Sequence, residues 1–171
     1  MSRNFLHDIP DNDLQKLFVF DLDYTLWPLE ADEHINPPVR LTAEGKVVDR
    51  FDNEIKLHTD VVEIFQSLHT RSITIAVASR STTADLCEKL LQLFDIYKYI
   101  TYKEIYPRSK VNHFKKLKQN SGRDYKDMIF FDDHIDNILE ISELGVTCRQ
   151  VRHGLTWDDV KVVLCKELKS E

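Results

Sequence analysis

The sequence predicts an α/β fold: a Rossmann-like parallel sheet with helices on both faces and a small β-hairpin flap after strand 1. Three observations predict it. Short runs rich in β-forming residues alternate with stretches of helical periodicity. The strongest runs, Leu17–Phe20 and Met128–Phe131, are apolar throughout, as strands covered on both faces are. They also stop abruptly at polar residues.

The first run is Leu17-Phe18-Val19-Phe20, which ends at Asp21. From Trp27 to Leu57 the alternation breaks. Pro28, Pro37, Pro38, Gly45 and Asp52-Asn53 punctuate short runs such as Lys46-Val47-Val48 and Glu54-Ile55-Lys56-Leu57. That punctuation predicts the flap, inserted at about 27–57, and no second domain. Val61, Ile64, Phe65 and Leu68 then recur at helical spacing. A second strand follows over Ile73 to Ala78, and a helix over Thr83 to Phe94 that buries Leu86, Leu90, Leu91 and Phe94. Lys110 opens a helix after Pro107, and Lys115, Lys116 and Lys118 form its solvated face. Met128 to Phe131 is a strand that stops at Asp132-Asp133, and Val146 to Val151 is a weaker one after Gly145. The last helix begins near Thr156, with Asp158 and Asp159 in its first turn, where the helix dipole favours acids. It buries Val160, Val163, Leu164 and Leu168. Right-handed crossovers would join the parallel strands.

The chain has 171 residues, within the ~100–200 typical of one domain. Residues 1–16 read as a polar leader and 17–171 as a single domain. Hydrophobic residues at 42% and charged residues at 30% suit a folded globular chain. A net charge of −6 argues against non-specific nucleic-acid binding, which needs a basic surface. Cys87, Cys148 and Cys165 lie far apart without C-x-x-C spacing, so they read as reduced, mostly buried thiols. The leader lacks the apolar core of a secretory signal, and no apolar run approaches the ~20 residues of a membrane span. The expectation is a monomer in the cytoplasm, or also in the nucleus, with no nucleic-acid or membrane partner.

In open α/β sheets ligands bind beyond the carboxyl ends of the strands. Four places qualify: Asp21-Leu22-Asp23-Tyr24-Thr25, Ser79-Arg80-Ser81, Lys110, and Asp132-Asp133. Each alone has an ordinary reading. The first is a surface turn, the second a helix N-cap, the third a solvated lysine outside the core, and the fourth an exposed turn or a metal site. Together, in this order, they fit phosphoryl transfer. A phosphate monoester is dianionic and repels a carboxylate nucleophile, so such a site needs a divalent cation and a lysine. Asp21 and Asp132 offer the hard oxygens that magnesium prefers. Positioning and electrostatics supply most of the catalysis in this chemistry.

These residues resemble the four ordered motifs of the haloacid dehalogenase superfamily of phosphatases. The stretches FDLDYTLWP, ASRS, LFDIYKY, EIYPRSKVNHF, FFDDHIDNI and LGVTC look like the eukaryotic magnesium-dependent acid phosphatase family over about residues 17–155. The resemblance implies Asp21 as nucleophile and Asp23 as general acid, then base. It implies that Ser79 donates a hydroxyl to phosphate and that Lys110 is its counter-charge. It also implies a Mg²⁺ held by the side chains of Asp21 and Asp132, the main-chain carbonyl of Asp23, and Asp133 directly or through water. Arg80 is a further substrate-binding candidate, and Asn137, placed in the last loop, a further orienting group. Thr25 would shape the turn. Trp27 and Tyr24 either receive a flat substrate group or pack under the flap. None of the seven histidines, His134 included, is assigned to metal.

Rival readings separate on the residues. A cysteine phosphatase needs C-x5-R, but Leu93, Gly154 and Glu171 stand at the arginine positions. With four glycines the chain has no P-loop. A receiver-like module places its lysine after the last strand and lacks a reactive pair such as Asp21 and Asp23, whereas Lys110 precedes Asp132-Asp133. A non-catalytic phospho-dependent binding module would not need the intact catalytic set. With only a small flap the site is expected to be open, which admits either a phosphorylated protein or a phosphorylated small molecule such as a sugar or fructosamine phosphate. The resemblance to the acid phosphatase family implies phosphotyrosine as the favoured expectation.

Overall fold

A computed structural model describes residues 15–167, with side chains to Leu164. In chain order the elements are β1 (Leu17–Phe20), α1 (Ala31–His34), β2 (Arg40–Leu41), β3 (Val47–Val48), β4 (Glu54–Ile55), α2 (Val61–Thr70), β5 (Thr74–Ser79) and α3 (Ala84–Leu93). Then come β6 (Ile100–Ile105), α4 (Lys110–Ser121), β7 (Met128–Asp132), α5 (Ile135–Ser142), β8 (Thr147–Gln150) and α6 (Trp157–Glu167). The expected leader lies almost wholly outside the described residues, as do Leu168 and the Cys165 side chain.

Five strands form one parallel sheet in the order β6-β5-β1-β7-β8. The chain runs outward from β1 through β5 to β6, then returns to β7 on the other side of β1. That reversal makes a switch point between β1 and β7, where the crevice beyond the strand ends opens. Asp21 and Asp132 therefore end neighbouring strands.

Alternation along the strands divides the core into two layers. Phe18, Phe20, Ile75, Val77, Ile129 and Phe131 face α2, α3 and α6, which contribute Ile64, Phe65, Leu90, Leu91, Val160 and Val163. Phe20 lies with its ring centroid 4.9 Å from both Phe65 and Phe131. Val19, Ala76, Ala78 and Phe130 face α4 and α5, which contribute Phe114, Leu117 and Ile141. Both faces of the central strands are covered, which explains their unbroken apolar runs.

Three features depart from the sequence reading. β6 was not anticipated, because this edge strand reads ITYKEI and buries only Ile100, Glu104 and Ile105. The flap is a hairpin with a third strand: β2, β3 and β4 form an antiparallel sheet of two-residue strands. Val47 and Ile55 anchor it to the core, while both residues of β2 are exposed. A buried carboxylate organises it. Asp49 accepts hydrogen bonds from the Asn36 amide and side chain, the Phe51 amide, and the Asn53 amide and side chain. Finally, Asn137 lies in the first turn of α5, not in a loop. Asn137 and Ile141 face inward while Ile135 and Leu139 are exposed, so the helix hides from an apolar-periodicity reading.

Cys87 and Cys148 are free thiols. Lys115, Lys116 and Lys118 are exposed as expected. Among the described residues no helix is long and apolar enough to cross a membrane.

Candidate active site

Asp21 extends β1 by one residue, its amide donating to the Phe131 carbonyl at 2.9 Å. This pairing aims the carboxylate into the crevice at the switch point. Thr25 is buried, and its hydroxyl donates to Asp21 Oδ2 at 3.3 Å, a contact beyond the turn-shaping role expected of it.

Lys110 corrects the expectation of a residue outside the core: it is 1% exposed. The Tyr106 amide donates to the Ser79 carbonyl at 3.1 Å, which brings the N-terminus of α4 against the strand ends. Lys110 Nζ lies 2.6 Å from Asp21 Oδ1 and 3.1 Å from Asp132 Oδ2, and it donates to the Ala78 carbonyl. Burial alone would lower its pKa, but Asp21 and Asp132 outweigh burial and hold the ammonium above its ordinary value.

Asp132 is fully buried at the end of β7. Its Oδ1 accepts from the His134 amide at 2.7 Å and its Oδ2 from the Asn137 side chain at 3.0 Å. Asp133 is half-buried, and Gln150 Nε2 donates to its carbonyl at 3.0 Å. Asp21, Asp132 and Asp133 each offer an oxygen, all within 4.8 Å of one another. Burial pushes the Asp21 carboxyl well above the usual carboxylate range; Lys110 opposes this, and Asp132 and Asp133 add to it. Asp133 is raised likewise, by burial and by Asp132. One ammonium among three carboxylates leaves this space short of positive charge.

The Asp23 carboxylate is turned out of that cluster. Its Oδ1 accepts from Trp27 Nε1 at 2.7 Å and from the Ala31 amide at 3.1 Å. Burial raises its pKa, although both hydrogen bonds oppose the shift. Trp27 is fully buried, so of the two readings for this residue packing is the correct one. Tyr24 is 39% exposed and lines the cavity.

Ser79 closes β5, 2% exposed, with its Oγ accepting from the Ser81 amide at 3.2 Å. Arg80 beside it is exposed. The crevice is a cavity of about 320 Å³ that Asp21, Asp23, Ser79, Arg80, Lys110, Asp133 and Asn137 all line. His134 is exposed in its wall. Sequence reasoning missed Glu30, Asp32 and Glu33, which also line the cavity. The signal was an acidic cluster five to eight residues after the D-x-D-x-T turn, read there as part of the flap.

Chemically, this is a buried carboxylate beside a lysine, a hydroxyl and a second carboxyl, with a cluster of hard oxygen donors behind it. A family model described as acid phosphatase matches residues 13–167. Magnesium-dependent phosphatase 1 of Homo sapiens is 43% identical over 142 residues, covering 83% of this chain and 81% of that protein. A HAD-like hydrolase superfamily protein of Schizosaccharomyces pombe is 37% identical over 143 residues, covering 77% of this chain and 83% of its own. In fold the chain resembles a HAD family enzyme of Bacteroides thetaiotaomicron solved with magnesium and inorganic phosphate. That match has a TM-score of 0.61 and 16% identity, over 85% of this chain and 98% of the other.

Proposed function

Because the chain belongs to the acid phosphatase family, within the haloacid dehalogenase superfamily, we propose that it is a magnesium-dependent phosphatase working through a phosphoaspartate at Asp21. The observation that carries this reading is the buried Asp21 carboxylate, held by Lys110 at 2.6 Å in a cavity that Ser79 and Asp23 also line.

The donor set fits magnesium. Asp21, Asp132 and Asp133 are hard oxygen donors gathered in one place, and a single lysine does not balance them. These side chains and the Asp23 main-chain carbonyl would hold the ion. Bound there, magnesium supplies positive charge that lets a carboxylate approach a phosphate dianion.

The residues then divide the work. Lys110 and the Ser79 hydroxyl bind phosphoryl oxygens, with Arg80 near the mouth. An Asp21 oxygen attacks phosphorus, the ester P–O bond breaks, and Asp23 gives its proton to the departing oxygen. Asp23, now a carboxylate, takes a proton from a water as that water attacks the phosphoaspartate. Phosphate leaves and the Asp21 carboxylate is restored. Burial shifts the Asp23 carboxyl upward, against the hydrogen bonds from Trp27 and Ala31, which is the direction a proton donor requires.

Phosphotyrosine in proteins is the preferred substrate reading. The flap is too small to be an enclosing cap, and the exposed Tyr24 ring beside Asp23 offers a surface for an aromatic leaving group. Glu30, Asp32 and Glu33 favour a second reading, a sugar phosphate carrying an amine. Rates with phosphotyrosine peptides, compared with sugar and fructosamine phosphates, choose between them. Rapid quench and mass spectrometry of the Asp21 peptide test the covalent step. If no phosphopeptide is trapped and oxygen-18 water never labels the Asp21 carboxylate, direct hydrolysis replaces it.

A further inference from the structure

Trp27 has the burial of a core residue, yet its one polar atom is spent on the active site. The turn after β1 is tight: the Thr25 and Leu26 amides donate to the Leu22 carbonyl at 3.1 and 2.7 Å. This folds the indole back over the residue four positions earlier, so that Nε1 donates to Asp23 Oδ1 at 2.7 Å. The Ala31 amide donates to the same oxygen at 3.1 Å. No described residue donates to Oδ2.

We propose that Trp27 is a positioning residue of the reaction, which with the Ala31 amide fixes Asp23 so that its transferable proton is carried on Oδ2. The inference rests on the reading of Asp23 as acid and base. An oxygen that accepts two N–H donors has both lone pairs engaged, so a proton on this carboxyl belongs on the other oxygen. The clamp also removes the side-chain rotation that would otherwise spread the proton over two positions, and a proton donor works only within hydrogen-bond reach of the leaving oxygen. Ala31 is itself held in place. The neighbouring Asp32 accepts from the Thr82 hydroxyl at 2.9 Å, tying α1 to the loop after β5. The acid is thus oriented before substrate arrives, from within the fold.

Trp27→Phe keeps an aromatic ring in the core and removes the N–H. The test is the single-turnover rate of Asp21 phosphorylation across aryl phosphates of rising leaving-group pKa. Trp27→Phe should lose about 10-fold with the poorest leaving group and little with the best, part of the ~10²–10⁴ that a positioned acid supplies. Asp23→Asn should show a steeper dependence, and adding Trp27→Phe to it should change nothing. Equal slowing across the series, or additive losses in the double variant, would overturn the positioning role and leave Trp27 a packing residue. Should Asp23→Asn itself show no leaving-group dependence, the acid assignment falls first and this inference with it. Melting curves establish that each variant is folded at the assay temperature. If Trp27→Phe does not fold, the wild-type indole N–H signal decides. Trp27 and Trp157 are the two tryptophans, and the Trp27 resonance should move upfield in Asp23→Ala. An unmoved signal refutes the clamp.

Discussion

Replacing Lys110 with methionine removes the positive charge from the centre of the cavity while filling most of its volume. The ammonium is 1% exposed and touches two carboxylates, at 2.6 and 3.1 Å. Breaking a buried pair by removing one partner typically costs about 3–5 kcal/mol, because the remaining charge is left unsolvated. At about 2–4 °C per kcal/mol for a chain of this size, the melting temperature should drop by about 6–20 °C. Magnesium should narrow that gap, since a cation held by Asp21, Asp132 and Asp133 restores positive charge beside the same oxygens. At about 100 times its Kd, a bound ion adds about 2.7 kcal/mol of stability. The assay is calorimetry of wild type and Lys110→Met, with EDTA and with magnesium. Turnover should fall by about 10²–10³, the scale of losing one preorganised electrostatic contact. A variant that melts within about 2 °C of wild type and turns over normally would refute the argument that this buried charge matters to stability and catalysis.

His113 is fully buried, its ring centroid 4.3 Å from that of Tyr106. Burial first, then Lys110, pushes its pKa down to about 4. Between pH 6.5 and 4 the unfolded chain therefore binds the extra proton, so its contribution is complete above pH 6.5 and about 3 kcal/mol is lost on acidification through pH 4. Urea unfolding of His113→Leu over that range should show a flatter pH dependence than wild type. EDTA should abolish activity, and calcium should inhibit, because its looser coordination at ~2.3–2.6 Å misplaces the attacking oxygen; full turnover in calcium counts against the assignment. Gly154→Ala should destabilise the fold by roughly 1–3 kcal/mol. Its φ is +88°, and a Cβ there would meet the His58 ring at 2.3 Å. Since the Leu155 amide donates to the Thr25 carbonyl, activity should fall as well. Thermal melts and initial rates check both effects.

The central strands were legible because both their faces are covered: Leu17–Phe20 and Met128–Phe131 carry no polar residue to interrupt the run. The edge strand β6 was not, since Thr101, Tyr102 and Lys103 are more exposed and dilute the pattern. α5 was missed for the opposite reason, a polar Asn137 facing inward to meet Asp132. The candidate site was legible as residue types at strand ends, in order. The environment of Lys110 was not, because its partners Asp21 and Asp132 lie 89 and 22 positions away and only the topology joins them. Nor did the Trp27 contact show, since a tryptophan after a catalytic turn reads as core until its N–H is placed.

The flap carries one further consequence, through Asp49. Burial alone would raise this carboxyl, but five hydrogen bonds to it prevail and lower its pKa to about 2. A turn tied this many times to one anion should keep its own shape throughout the catalytic cycle. None of its residues lines the cavity, so it braces the wall from outside, and selectivity falls to the side chains that do line the cavity, among them the Tyr24 ring and the acids Glu30, Asp32 and Glu33.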